Sequence, residues 1–238
     1  VNNNSLANIY HDVQFPFTLS APDSNGLKYW VFDSEKTTLK MNSDFTQLVQ
    51  VSNSKGGFDN RGAGNEDKNK PGFFPFNTGD ETNAAQYNYG FGMRLDLEFN
   101  MTDDGMLPGA YGQRYPMIFS FSGDDDVWVF IDGQLVLDIG AAHSITSVKM
   151  QMNDYVLRAQ KEMSFLKQNY GYRPDVSDEK FEKILDEAVK NGAMQASQKD
   201  YYRRWHRLNL IDGENYTIDF YYMERHGWGA NMRVATNI

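Results

Sequence analysis

The chain has no cysteine, which closes off disulfides and zinc–thiolate centres. It also has no run of lysine and arginine, and its formal charge is −9. Affinity for polyphosphates rests on clustered basic groups, so nucleic acid is excluded as an expected partner. No stretch approaches the ~20 apolar residues that a membrane-crossing helix needs, and no membrane insertion is expected within this fragment. The opening Val1, Asn2, Asn3 and Asn4 carries neither a methionine nor a signal-peptide pattern and reads as the start of an excised piece. The termini therefore indicate no compartment.

What is present favours strands. Aromatic residues make up 14% of the 238 positions and glycine supplies 20, while the helix formers alanine and leucine are not abundant. Such a profile suits one β-rich domain spanning residues 1–238, long enough to bury a core. Short runs separated by turn residues recur: an edge strand from Val13 to Leu19, then Tyr29 to Phe32, Thr37 to Met41 and Leu48 to Val51. Residues 52–72 read as a long surface loop, and Phe73, Phe74 and Phe76 as a plug for the core. Tyr89 to Met101 alternates, with Phe91, Met93, Leu95, Leu97 and Phe99 on the buried face. Val127 to Ile131 reads as a central strand, joined by a turn at Asp132 and Gly133 to Leu135–Ile139 as a hairpin. Tyr216 to Met223 and Met232 to Thr236 are the closing strands.

Around residues 150–205 the period changes. Phe181, Ile184, Leu185, Ala188 and Val189 form one stripe, Ser177 is placed to cap it and Gly192 to end it. A second helix is expected from Tyr155 to Gln168. We read the region as a helical insertion in a β scaffold, because strands resume after it.

Two stretches carry chemistry. The first is the carboxylate run Asp124, Asp125, Asp126 at a strand entrance. Adjacent aspartates repel, so the run is either a well-solvated turn or a cation site. It is not an EF-hand, because Trp128 stands where the fifth loop position needs an oxygen ligand. The second is the loop His226, Gly227, Trp228, Gly229, Ala230, Asn231, in which a tryptophan between glycines is either a sugar-stacking face or a core residue flanked by turns. Glu224, Arg225 and His226 suit acid–base work or a strand-end ion pair with a capping histidine. Asp124 with Glu224 is a conceivable glycosidase pair that nothing in the sequence requires.

In combination these stretches resemble the fibro-slime domain. The resemblance rests on Gly123 to Gly133 with its three aspartates, on Asp138, Ile139, Gly140 and His143, on Phe73 to Phe76, and on Tyr222 to His226 followed by Asn231 to Ile238. That family is similar to the protective-antigen-type, flocculin-like β-sandwich lectins. The resemblance implies an all-β, antiparallel, jelly-roll-like β-sandwich. It also implies calcium held by Asp124, Asp125 and Asn231, the two aspartates being often joined by a cis peptide. Sugar hydroxyls would bind the calcium directly, with Trp228 and His226 shaping the pocket and Asp126 outside the ligand set.

The expected function is a calcium-dependent carbohydrate-binding domain of a bacterial surface adhesin, extracellular and not an enzyme. Its partner would be a glycan of a host, plant or neighbouring cell, and the domain a monomeric unit of a larger protein. A non-binding spacer module and, further off, a glycoside-hydrolase-associated domain are the alternatives.

Overall fold

The computed structural model describes residues 8–34, 39–50, 72–77, 87–140, 145–225 and 230–238. The surface loop expected at 52–72 therefore falls almost wholly outside the described residues, as does His143.

Two antiparallel sheets dominate. The five-stranded sheet has the order β1 (Thr18–Leu19), β2 (Trp30–Asp33), β13 (Met232–Thr236), β8 (Ile118–Gly123), β11 (Thr146–Gln151). The four-stranded sheet has the order β10 (Gln134–Ile139), β9 (Asp126–Ile131), β12 (Asn215–Glu224), β5 (Phe91–Asn100). Two small hairpins complete the β structure, β3 (Leu39–Met41) with β4 (Leu48–Gln50) and β6 (Met106–Pro108) with β7 (Arg114–Pro116).

The sheets meet through aromatic rings. Phe119 and Phe121 of β8 lie 5.8 and 5.5 Å from Phe220 of β12, and Tyr222 is 6.5 Å from Phe121. Each such pair adds about 0.5–1.5 kcal/mol beyond the apolar area it buries. Val127, Val129 and Ile131 of β9 and Ile218 of β12 are fully buried in the same layer. The alternation of β5 is as its sequence predicts, with Phe91 and Phe99 buried and Arg94, Asp96 and Glu98 exposed. Phe73 closes one end of the core, edge-on to Phe32 at 5.5 Å, to Phe91 at 5.5 Å and to Tyr222 at 6.0 Å. The β9–β10 hairpin turns at Asp132 (φ 47) and Gly133 (φ 70), the paired left-handed geometry that matches strand twist.

Four helices lie between β11 and β12 in the chain: α1 (Met152–Glu162), α2 (Ser164–Tyr170), α3 (Asp178–Lys190) and α4 (Lys199–Arg207). The cap of α3 is formed as expected, with Lys180 N–H donating to Ser177 Oγ at 3.4 Å, and Gly192 takes φ 69 just beyond its end. Elsewhere the reading needs correcting. The single helix expected from Tyr155 to Gln168 is two, broken at Met163 (φ −87, ψ −2). The α4 helix closes the helical region expected around residues 150–205, where the sequence reading places no separate helix. Its core contacts are Trp205, buried, and Tyr202, half-buried beside it, and ion pairs tie its outer face to the other helices. Arg203 grips Glu182 of α3 through two N–H groups at 2.6 and 2.8 Å, and Arg158 of α1 lies 4.7 Å from the Trp205 ring. Hydrophobic periodicity does not report such contacts.

Candidate functional site

Strand order brings the two chemically marked stretches together. β8 and β13 are neighbours in one sheet, and β9 and β12 are neighbours in the other. The chain crosses between sheets once from β8 to β9, through Asp124 and Asp125, and once from β12 to β13, through residues 225–231. Where they are described, at Asp124 and Asp125 and at Arg225, Ala230 and Asn231, the two crossings meet.

Hydrogen bonds pin them. Asn231 N–H donates to Asp124 Oδ1 at 2.8 Å, and Arg225 N–H donates to Asp125 Oδ2 at 2.6 Å. Asp125 turns the chain in the left-handed region at φ 64, which a non-glycine residue adopts at a cost. Every described peptide bond is trans, so the cis link implied by the family resemblance is not formed between Asp124 and Asp125. Gly123 is required by proximity, since a Cβ there would stand 2.5 Å from the Asn231 carbonyl oxygen. The second crossing is anchored by Phe73 N–H donating to the Ala230 carbonyl at 2.7 Å. Ser34 supports Met232 from both sides, its N–H donating to the carbonyl at 3.0 Å and its Oγ accepting from the N–H at 2.9 Å.

Charge is concentrated here among buried side chains. Asp125, Asp126, Glu224 and Asn231 are all buried. Asp126 faces the Arg225 guanidinium, Oδ2 to Nη2 at 2.5 Å. The strand-end ion pair read from the sequence therefore exists, but Arg225 takes its carboxylate from β9 rather than from its neighbour Glu224. Glu224 accepts a hydrogen bond from the Tyr222 hydroxyl at 2.9 Å. Burial first, then the charges of Glu224 and Asp124, the hydrogen bond to Glu224 and the charge of Asp125, push the Tyr222 phenol well above its ordinary value. Three carboxylates thus act on one buried hydroxyl.

Asn231 completes the arrangement. Its side chain is 4% exposed and its amide nitrogen has no hydrogen-bond partner among the described residues. An orphaned buried amide costs roughly 1–3 kcal/mol. Turning the amide over about its terminal bond would put an oxygen at the same point, because the two ends are nearly isosteric. The Asn231 main chain is thus brought to Asp124, and the side chains of Asp124, Asp125 and Asn231 all carry oxygen, the donor a hard cation takes. Among the described residues no group of three or more His, Asp or Glu side chains is gathered to hold a metal ion. A set of two carboxylates, one amide and main-chain carbonyls does not contain such a group. The other two candidates, His226 and Trp228, lie outside the described residues. The part the sequence left unmarked is Ser34, a hydroxyl just beyond β2 that carries no local signal of its role.

No family model matches the chain. It is similar to proteins of Dictyostelium discoideum: to "Protein psiN" at 50% identity over 121 residues, 51% of this chain and 10% of that protein; to "Protein psiO" at 34% over 70 residues, 29% of this chain and 8% of that protein; and to "Protein psiC" at 23% over 159 residues, 67% and 18%. The chain spans less than a fifth of each of these relatives. Among solved structures a GH31 alpha-xylosidase from Xanthomonas citri is aligned over 90% of this chain and 18% of that one, at 8% identity and a TM-score of 0.22, a likeness too slight to carry any argument. The relatives are proteins of a eukaryote, which overturns the expectation of a bacterial cell-surface protein, and the extracellular placement built on it falls too.

Proposed function

We propose that the chain is a calcium-dependent carbohydrate-binding domain, built as a jelly-roll-like β-sandwich into which residues 152–207 are inserted. One observation supports it above the others. Asp124 and Asp125 each bind a main-chain N–H of the facing crossing, and the Asn231 whose N–H Asp124 holds has a buried side-chain amide nitrogen without a hydrogen-bond partner among the described residues. The donors fit calcium in type, all being oxygen, and a cation at this point would offset the repulsion of adjacent aspartates. Calcium supplies open coordination positions that vicinal sugar hydroxyls can fill. Asp126, already held by Arg225, stays outside the ligand set. Trp228 and His226, on the same crossing, would border the sugar.

A second reading has an observation of its own. One oxygen of Asp124 and one of Asp125 already accept main-chain N–H groups of the facing crossing, as a purely structural staple would require. In that case the chain is a spacer module without a ligand.

Thermal melting with calcium and with chelator separates the two. Calcium binding raises the melting temperature by mass action, Asp125→Ala abolishes the rise, and a glycan array at millimolar calcium then identifies the sugar. An identical melt in calcium and chelator would sink the first reading and leave the spacer.

A further inference from the structure

Strand β9 directs Val127, Val129 and Ile131 into the core, so Trp128 and Phe130 emerge on the opposite face of the four-stranded sheet. β12 does the same with Tyr221 and Met223, the latter 42% exposed. Register lines these side chains up. Asp138, Trp128, Tyr221 and Arg94 lie opposite one another in turn across β10, β9, β12 and β5. In the next row Phe130 lies opposite Asp219, and its ring meets Tyr221 edge-on at 5.6 Å. None of the four apolar side chains belongs to the core or packs against it.

The row is also held in place. The Arg94 guanidinium sits 5.6 Å from the Tyr221 ring centre, and its N–H groups donate to Asp96 at 2.6 Å and Asp219 at 3.0 Å. Tyr221 is thereby covered on the Arg94 side, while Asp138 stands opposite Trp128 in the register of the neighbouring strand. An indole beside a carboxylate, a phenol and a guanidinium is the chemistry that recognises a pyranose ring. The C–H face stacks on the indole and the rim hydroxyls take the polar groups. Asp96, Asp138 and Asp219 outnumber the one guanidinium, which disfavours phosphates and uronates. The face is also continuous with the acidic crossing, since Met223 lies opposite Asp126 one row further on.

We propose that this outer sheet face is a subsite for an uncharged glycan chain, stacked on Trp128 and hydrogen-bonded by Asp138, Tyr221 and Arg94. The proposal rests on the carbohydrate reading above and extends it away from the loops, and it needs no metal.

Affinity electrophoresis of the full chain tests it, in gels containing hydroxyethylcellulose, galactomannan or alginate, each with calcium and with chelator. Retardation is expected in a neutral gel, in chelator as well as in calcium, and not in alginate. Trp128→Ala weakens it by at least about tenfold, Trp128→Phe by less, and Tyr111→Ala, an exposed ring on a distant hairpin, not at all. Trp128 is half-buried on this face, so each variant's melting temperature is measured beside its retardation, and Trp128→Phe, which keeps a ring there, separates lost binding from lost packing. Retardation unchanged in Trp128→Ala but lost in chelator overturns the sheet-face subsite and leaves the calcium site standing. Retardation lost in Trp128→Ala and indifferent to chelator supports the subsite, and the calcium site is then decided by the melting experiment alone. No retardation in any neutral gel overturns it, as does a dimer in sedimentation that Trp128→Ala converts to monomer, which would make the face a protein interface.

Discussion

The main-chain N–H of Asn231 donates to Asp124 Oδ1 at 2.8 Å, joining the entrance of one strand to the exit of another 107 residues away. The bond makes Asp124 structural whether or not a cation is present. Asp124→Ala leaves that N–H without its acceptor and should lower stability by about 1–3 kcal/mol even in chelator. Urea unfolding in chelator is the measurement, and a loss seen only in calcium would contradict this role.

Asn231→Ala should behave in the opposite way. It removes a buried amide whose nitrogen has no partner among the described residues, so its cost in chelator should stay within about 1 kcal/mol. On the proposed function it also abolishes the calcium-induced rise in melting temperature. Parallel melts of Asp124→Ala and Asn231→Ala, with and without calcium, show whether the two effects separate.

Gly123→Ala tests the closeness of the crossings. The added Cβ would stand 2.5 Å from the Asn231 carbonyl and 2.6 Å from the Phe121 ring, so one backbone must move. A destabilisation of roughly 1–3 kcal/mol is expected, together with a weaker calcium response as Asn231 is displaced. A variant as stable as the wild type would mean that the crossings yield easily.

Tyr222→Phe deletes the hydroxyl that donates to buried Glu224. Hydrogen bonds to charged groups contribute about 1.5–3 kcal/mol, and a loss of that order is expected at neutral pH. The raised phenol titrates above its unfolded value, so its contribution is fully present below pH 10 and is lost as pH rises further. The variant should therefore unfold less steeply with pH in strong alkali, followed by circular dichroism.

His206 gives an acid-side test. Its ring stacks on Phe181 at 4.1 Å, meets the Tyr172 hydroxyl at 3.1 Å through Nδ1 and Asp178 at 3.4 Å through Nε2. Burial lowers its pKa, with Asp178 opposing in part. The unfolded chain then binds the proton more readily, so stability is full above pH 6.5 and falls as the pH drops through the folded value. His206→Gln should flatten the decline in melting temperature between pH 7 and 5.

Much of the architecture is legible along the chain, because strand alternation and helix caps are local. The face of β5, the turn at Asp132 and Gly133, and the stop at Gly192 each follow from one residue's own geometry or from a period of two. The β-rich class with antiparallel hairpins follows in the same way. The break at Met163 and the bounds of α4 were not legible, since two aromatic contacts, Trp205 and Tyr202, make too short a stripe to set where a helix starts and stops. The aspartate run was conspicuous but undecided, because a carboxylate cluster looks the same whether it is solvated or enclosed.

What resolves that cluster is the order of strands. Only when β8 lies beside β13 and β9 beside β12 does Asn231 reach Asp124, and the Arg225 main chain reach Asp125. Composition and spacing thus specify the strands and mark the aspartates. The enclosure of those aspartates, the diversion of Asp126 to Arg225 and the row from Asp138 to Arg94 arise from pairings between segments far apart in sequence. No local pattern encodes such pairings, because they depend on how two sheets close over one aromatic core.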